Sequence, residues 1–210
     1  TCTIDVIDLN NVSEALPMGK PSAEGGKASY EAIQKAVELA LKDKVAAITT
    51  GPINKKSLHL AGHPFPGHTE LLGHLTDSKN PSLMMEGNSL RVVLVTTHLP
   101  LDQVKSQITE EKVLQSIRLT NDWLQKHVTD IPSIAVVGLN PHCGDGGIFG
   151  QEETDFILPA IKTAQQEGIQ ASGPYPADAL FQRTASEKFD VAVCMYHDQG
   201  MIPVKMNGMG

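Results

Sequence analysis

Three histidines, His98, His142 and His197, each follow an apolar run along the chain. The runs are Leu90 to Thr97, Ile134 to Pro141 and Val191 to Tyr196, and a fourth, Val45 to Pro52, ends in a polar cluster without a histidine. Each has the composition of a buried strand running into a loop. In an open α/β sheet ligands gather beyond the carboxyl ends of the strands, so imidazoles delivered this way can meet at one point. Neutral imidazole is the commonest metal ligand, and three of them leave room in the shell for a substrate oxygen. The trio therefore points to an open, catalytic divalent-metal site. Nitrogen donors favour zinc, cobalt, nickel or iron over magnesium or calcium, although a substrate carboxylate would harden the site. A single loop histidine is more often solvated than coordinating, so the shared placement carries the weight. Asp198 either orients His197 from behind or caps a turn.

Other polar residues sit where an acidic substrate could be held. Gly67-His68-Thr69-Glu70 places an imidazole and a hydroxyl at a predicted helix N-terminus, where free backbone N–H groups receive phosphate or carboxylate; a plain cap is the alternative. Asn54, Lys55, Lys56 and Lys205 offer cationic or polar contacts. Asp178, in Gly173-Pro174-Tyr175-Pro176-Ala177-Asp178, is read as a base on a loop or as a cap for the helix that follows. Asp178 and Lys205 stand as the candidate catalytic groups. The glycine-rich segment Gly144 to Gly150 precedes a helix but carries Phe149 where G-x-G-x-x-G needs glycine. Asp145, Glu152 and Glu153 would also repel a pyrophosphate, so a nicotinamide cofactor has to bind in a non-Rossmann manner. Cys143 has no basic partner and reads as structural. His59 and His63 are four apart, but Gly62 and Pro64 interrupt any helix between them.

The elements that position these groups alternate. Helices are predicted over Lys27 to Lys42, from near Gly67 through Leu75, after an N-cap at Thr109 to about His127, and after Gly150 with Phe156, Ile157, Ile161 and Ala164 facing inward. No terminal helix is expected after His197. Helices alternating with four strands predict an α/β layer fold, at least partly parallel, with right-handed crossovers. A net charge of −7 argues against a nucleic-acid surface. No apolar run approaches the ~18 residues of a membrane span, and three scattered cysteines give no disulfide framework. A reduced, cytoplasmic setting and small-molecule partners are the expectation.

Six ordered segments resemble the 4-hydroxythreonine-4-phosphate dehydrogenase family of pyridoxal phosphate biosynthesis. They are Thr50 to Lys55, Pro66 to Glu70, Thr97 to Leu101, Leu139 to His142, Gly173 to Asp178 and Tyr196 to Gly200. Cys143 and Asp145 stand where that family commonly has Ala and Glu. The resemblance implies two α/β/α lobes with mixed, largely parallel sheets, similar to isocitrate and isopropylmalate dehydrogenases, truncated here at both ends. It implies a first lobe of 1–65 with 185–210, a second of 66–184 carrying a dimer interface, and an active site between lobes. His98, His142 and His197 become ligands of a shared divalent ion (Zn2+, Mg2+, Co2+ or Mn2+), two from one subunit and one from its neighbour, with His68, Thr69 and Lys205 as substrate contacts. The implied reaction is NAD- or NADP-dependent oxidation and decarboxylation of 4-hydroxy-L-threonine 4-phosphate to 3-amino-2-oxopropyl phosphate by a homodimer. Alternatives are a paralogue acting on threonate or erythronate 4-phosphate, a three-histidine metallohydrolase, and a non-catalytic scaffold.

Overall fold

The apolar runs that end at His98, His142 and His197 become neighbouring strands of one sheet. Its five strands are β1 (Leu83–Glu86), β2 (Arg91–Leu94), β3 (Ser133–Val137), β4 (Gln170–Tyr175) and β5 (Val191–Cys194), in the order β1-β2-β5-β3-β4. β1 pairs antiparallel with β2; every other pairing is parallel. The computed structural model describes residues 3–183 and 189–208, grouped in two compact units, Thr1–Pro81 and Ser82–Gly210.

Strands of a parallel sheet are covered on both faces, which is why these runs lack a polar face. Alternate residues divide between two cores. Val93, Ile134, Val136, Val191 and Val193 pack with Val104 of α4 (Leu101–Gln107), Ile117 and Leu124 of α5 (Glu110–His127), and Ile161 and Ala164 of α6 (Leu158–Gln166). Val92, Leu94, Ala135, Val137, Ala192 and Cys194 face Leu180 of α7 (Ala177–Arg183) and Met201 and Val204 of α8 (His197–Met206). This is the α/β layering expected from the sequence. Thr109 caps α5 as expected, accepting a hydrogen bond from the Lys112 N–H. α6 is entered through a π-helical turn, Glu153–Ile157.

The N-terminal unit holds α1 (Ala23–Leu41), α2 (Lys55–Leu60) and α3 (His68–Leu75). Ile33, Val37 and Leu71 form its small core, with Tyr30, Ile48, Ile53 and Phe65 against them. α1 and α2 meet backbone to backbone at Gly26, where a Cβ would lie 1.9 Å from the Ser57 carbonyl oxygen, so no other residue fits.

Two expectations need correction. The run Val45 to Pro52 forms no strand: among the described residues nothing pairs with it, and Val45 is 41% exposed. An apolar run becomes a strand only when a partner satisfies its backbone groups. Residues 197–206 form α8 after all, started by the extended Tyr196 and anchored by Met201 and Val204. β5 is hydrogen bonded between β2 and β3, and the two compact units divide after Pro81. The expected boundary at 184/185 lies outside the described residues.

Leu124 is fully buried between α5 and the sheet. Leu124→Ala should therefore cost about 2–5 kcal/mol, against about 1 kcal/mol for removing the cap with Thr109→Ala. Urea unfolding of both variants checks the ranking, and an equal or inverted loss contradicts the packing described.

Candidate active site

Because β5 lies between β2 and β3, the carboxyl ends of the three strands are adjacent. Side-chain hydrogen bonds lock them together. Buried Thr96, just beyond β2, donates through Oγ1 (2.7 Å) and through its N–H (3.1 Å) to the Met195 carbonyl beyond β5. Gln199, in the first turn of α8, accepts from the Met195 N–H (2.7 Å) and donates to the Gly138 carbonyl beyond β3 (2.7 Å). Both residues are nearly inaccessible to solvent, so each hydrogen bond also prevents an unsatisfied polar group.

His98 follows β2 and His197 opens α8, directly after β5. Their ring centroids are 5.5 Å apart with planes inclined by 44°. His197 Nδ1 lies 2.7 Å from Asp198 Oδ1, which leaves Nε2 for a ligand. A carboxylate behind one imidazole nitrogen fixes the tautomer and raises the basicity of the other, the usual support of a metal-binding histidine. The donor set therefore fits a divalent ion. His142 is set apart: it is exposed, its nearest aromatic neighbour is Phe149 at 6.4 Å, and it begins a turn in which residues 142–146 all have positive φ. Among the described residues no group of three or more His, Cys, Asp and Glu is disposed to hold a metal within one chain. One chain joins two of the three histidines.

The turn bearing His142 is wound over buried carboxylates. Glu153 Oε1 accepts from the N–H groups of Leu139 and Asn140, both at 2.7 Å. The Asn140 amide donates to Glu152 Oε2 (2.7 Å) and Glu153 Oε2 (2.9 Å), and Lys105 Nζ reaches Glu152 Oε1 at 2.6 Å. Burial pushes the Glu152 carboxyl up, but the Lys105 ammonium and the Asn140 amide outweigh it and hold the group below the usual carboxylate range. Cys143 is pushed up to about 11 by burial and by the Glu153 and Asp178 charges, despite a hydrogen bond to Gly138. It stays a thiol near neutral pH, as its structural reading requires. The glycine-rich segment does not fit a pyrophosphate, because the carboxylates of Glu152 and Glu153 fill its inner side.

Asp178 is exposed in the first turn of α7 rather than on a loop, and its charge reaches Cys143. Lys205 is exposed in the last turn of α8, eight residues from His197 and so about 12 Å along the helix axis. It is not brought to the histidine pair. In the N-terminal unit, His68 and Thr69 open α3, whose Gly67 cap makes no side-chain hydrogen bond. The His68 Nε2 is shielded from solvent without a hydrogen-bond partner. Such a nitrogen costs about 1–3 kcal/mol until something pairs with it, and an anionic oxygen would do so. Sequence patterns did not single out Thr96, Asn140 or Gln199, and they showed Glu152 and Glu153 only as charges that would repel a pyrophosphate. Their only signal is polarity within otherwise apolar strand ends.

The model of the family described as pyridoxal phosphate biosynthetic protein PdxA matches residues 1–210. A 4-hydroxythreonine-4-phosphate dehydrogenase of Desulforapulum autotrophicum is 46% identical over 206 residues, 97% of this chain and 61% of that protein. A D-threonate 4-phosphate dehydrogenase of Cupriavidus necator is 44% identical over 208 residues, 99% of this chain and 62% of that protein. The crystal structure of a 4-hydroxythreonine-4-phosphate dehydrogenase from Burkholderia phymatum superposes with a TM-score of 0.89 at 45% identity, covering 99% of this chain and 63% of that one. The chain thus spans about three fifths of the length of the relatives it matches. With the family model matched over residues 1–210 and a relative 46% identical over 97% of the chain, this chain belongs to the pyridoxal phosphate biosynthetic protein PdxA family.

Proposed function

We propose that the protein is a divalent-metal-dependent dehydrogenase that oxidises the C3 hydroxyl of 4-hydroxy-L-threonine 4-phosphate with NAD or NADP. Loss of the carboxylate as carbon dioxide then yields 3-amino-2-oxopropyl phosphate. The observation that carries this reading is the pairing of His98 with His197 at the carboxyl ends of adjacent parallel strands, with Asp198 braced behind His197. A bound divalent ion supplies Lewis acidity toward the hydroxyl and toward the ketone that replaces it.

The chain's own residues orient and hold. His98, His142 and His197 are the ligand set, complete once two copies associate, since one chain joins only two of the rings. His68 and Thr69 receive an anionic substrate group: the His68 Nε2 is buried without a partner, and no side chain caps the first turn of α3. Lys205 is assigned to the substrate's acidic end, and Asp178 is the candidate acceptor for the hydroxyl proton. The Cys143 thiol, kept protonated, takes no nucleophilic part. Among the described residues no helix is long and apolar enough to cross a membrane.

A second substrate has a specific observation in its favour, because relatives of nearly equal identity carry the name D-threonate 4-phosphate dehydrogenase. The two substrates differ in an amine. Assaying the protein at its relatives' length with NAD, Zn2+ and each substrate should give NADH with one of them. Phosphate release without NADH would contradict the dehydrogenase and support hydrolysis. His142→Ala should lose metal binding and NADH formation together, and full turnover by the metal-stripped variant would remove the trio from the mechanism. Chelation should abolish turnover, and adding back Zn2+ or Co2+ should restore it.

A further inference from the structure

The turn carrying His142 has an unusual backbone. His142, Cys143, Gly144, Asp145 and Gly146 are all in the left-handed region, with φ of 54°, 53°, 80°, 44° and 66°. For residues with a side chain this conformation costs roughly 1–2 kcal/mol each, and a run of them persists only when the surroundings over-determine it. Three of these residues are not glycine, so something must hold the turn. The Glu153 carboxylate is the group in the right place. It is 4% exposed, and its Oε1 accepts the N–H groups of Leu139 and Asn140, the two residues that lead into the turn. A Cβ built at Gly138 would lie 3.1 Å from Oε1, and one at Gly144 would lie 3.0 Å from Oε2. The carboxylate thus touches the chain before the turn and at its centre.

Its chemistry is as specific as its position. The Asn140 amide nitrogen donates to Oε2 of Glu153 and to Oε2 of Glu152, so both carboxylates must present acceptors there. Replacing Glu153 with isosteric Gln would leave one oxygen for the two backbone N–H groups but set an NH2 against the Asn140 NH2. Flipping Asn140 would relieve that clash only by setting its oxygen against Glu152. No arrangement of the amides satisfies all three side chains.

We propose that Glu153 is a positioning residue for His142: its buried carboxylate is the template on which the left-handed turn is wound, and it sets where that imidazole points. The inference rests on the reading of His142 as a metal ligand. Glu153 itself touches neither metal nor substrate.

The test uses Co2+ as probe, titrated into the full chain and followed by its visible absorption. Glu153→Gln should weaken Co2+ binding about 10- to 100-fold, the range for residues that orient a ligand, and should alter the band shape. Leu124→Ala is the control for lost stability alone: it removes core packing without touching the Glu152, Glu153 and Asn140 hydrogen bonds and should leave affinity and spectrum as in the wild type. Glu153→Asp keeps the charge but reaches one methylene less far; it should stay folded and weaken binding by a smaller factor. Wild-type Co2+ affinity in folded Glu153→Gln or Glu153→Asp, beside lost binding in His142→Ala, would overturn the inference and leave the metal reading intact. Binding unaffected in His142→Ala as well would overturn both.

Discussion

The placement of β5 between β2 and β3 is the constraint on which the site depends. Parallel strands lie about 4.8 Å apart and end on the same edge of the sheet, so whatever follows three adjacent strands is delivered to one small region. β2 is followed by His98, β5 by His197 and β3 by the turn of His142. A different strand order with the same sequence motifs would separate His98 from His197. The order is held in turn by the two cores: the alternating residues of each strand are apolar on both sides, so a slip by one residue would exchange the contents of the two layers.

Beyond the last ladder hydrogen bonds, polar side chains take over from the sheet. Thr96 joins the ends of β2 and β5, Gln199 joins β5 to β3, and Glu153 gathers the backbone leaving β3. These groups are buried, and a buried polar network is stabilising only when every member is satisfied. The carboxylates Glu152 and Glu153 meet that condition through Lys105, Asn140 and two backbone N–H groups. The consequence is a braced platform at the strand ends, on which His98 and His142 are exposed and His197 is half-buried.

Much of this was legible in the sequence, for physical reasons that differ by element. β2, β3 and β5 could be read because central parallel strands are uninterrupted apolar runs, and α5 because Thr109, Glu110 and Glu111 spell a helix start. The strand-end placement of His98, His142 and His197 followed from those runs. Val45 to Pro52 has the same composition, but strand formation also needs a partner, which composition does not encode. α8 was missed because its first turn looks like a polar loop and Pro203 interrupts its pattern, whereas burial of Met201 and Val204 decides the matter. The supporting residues Asn140, Glu153 and Gln199 were invisible because their function is a set of contacts with backbone groups distant in sequence. The left-handed turn was read as a glycine-rich loop, and only the structure reveals that non-glycine residues share its conformation.

The proposal that three imidazoles, far apart in sequence, bind one divalent ion when two copies associate is tested most directly by X-ray absorption at the zinc edge of the Zn2+-loaded protein. The expected result is three imidazole nitrogens at about 2.0–2.1 Å with an oxygen donor completing the shell, reduced to two nitrogens in His142→Ala. A shell made only of oxygen, or one unchanged by removing His142, would contradict the claim.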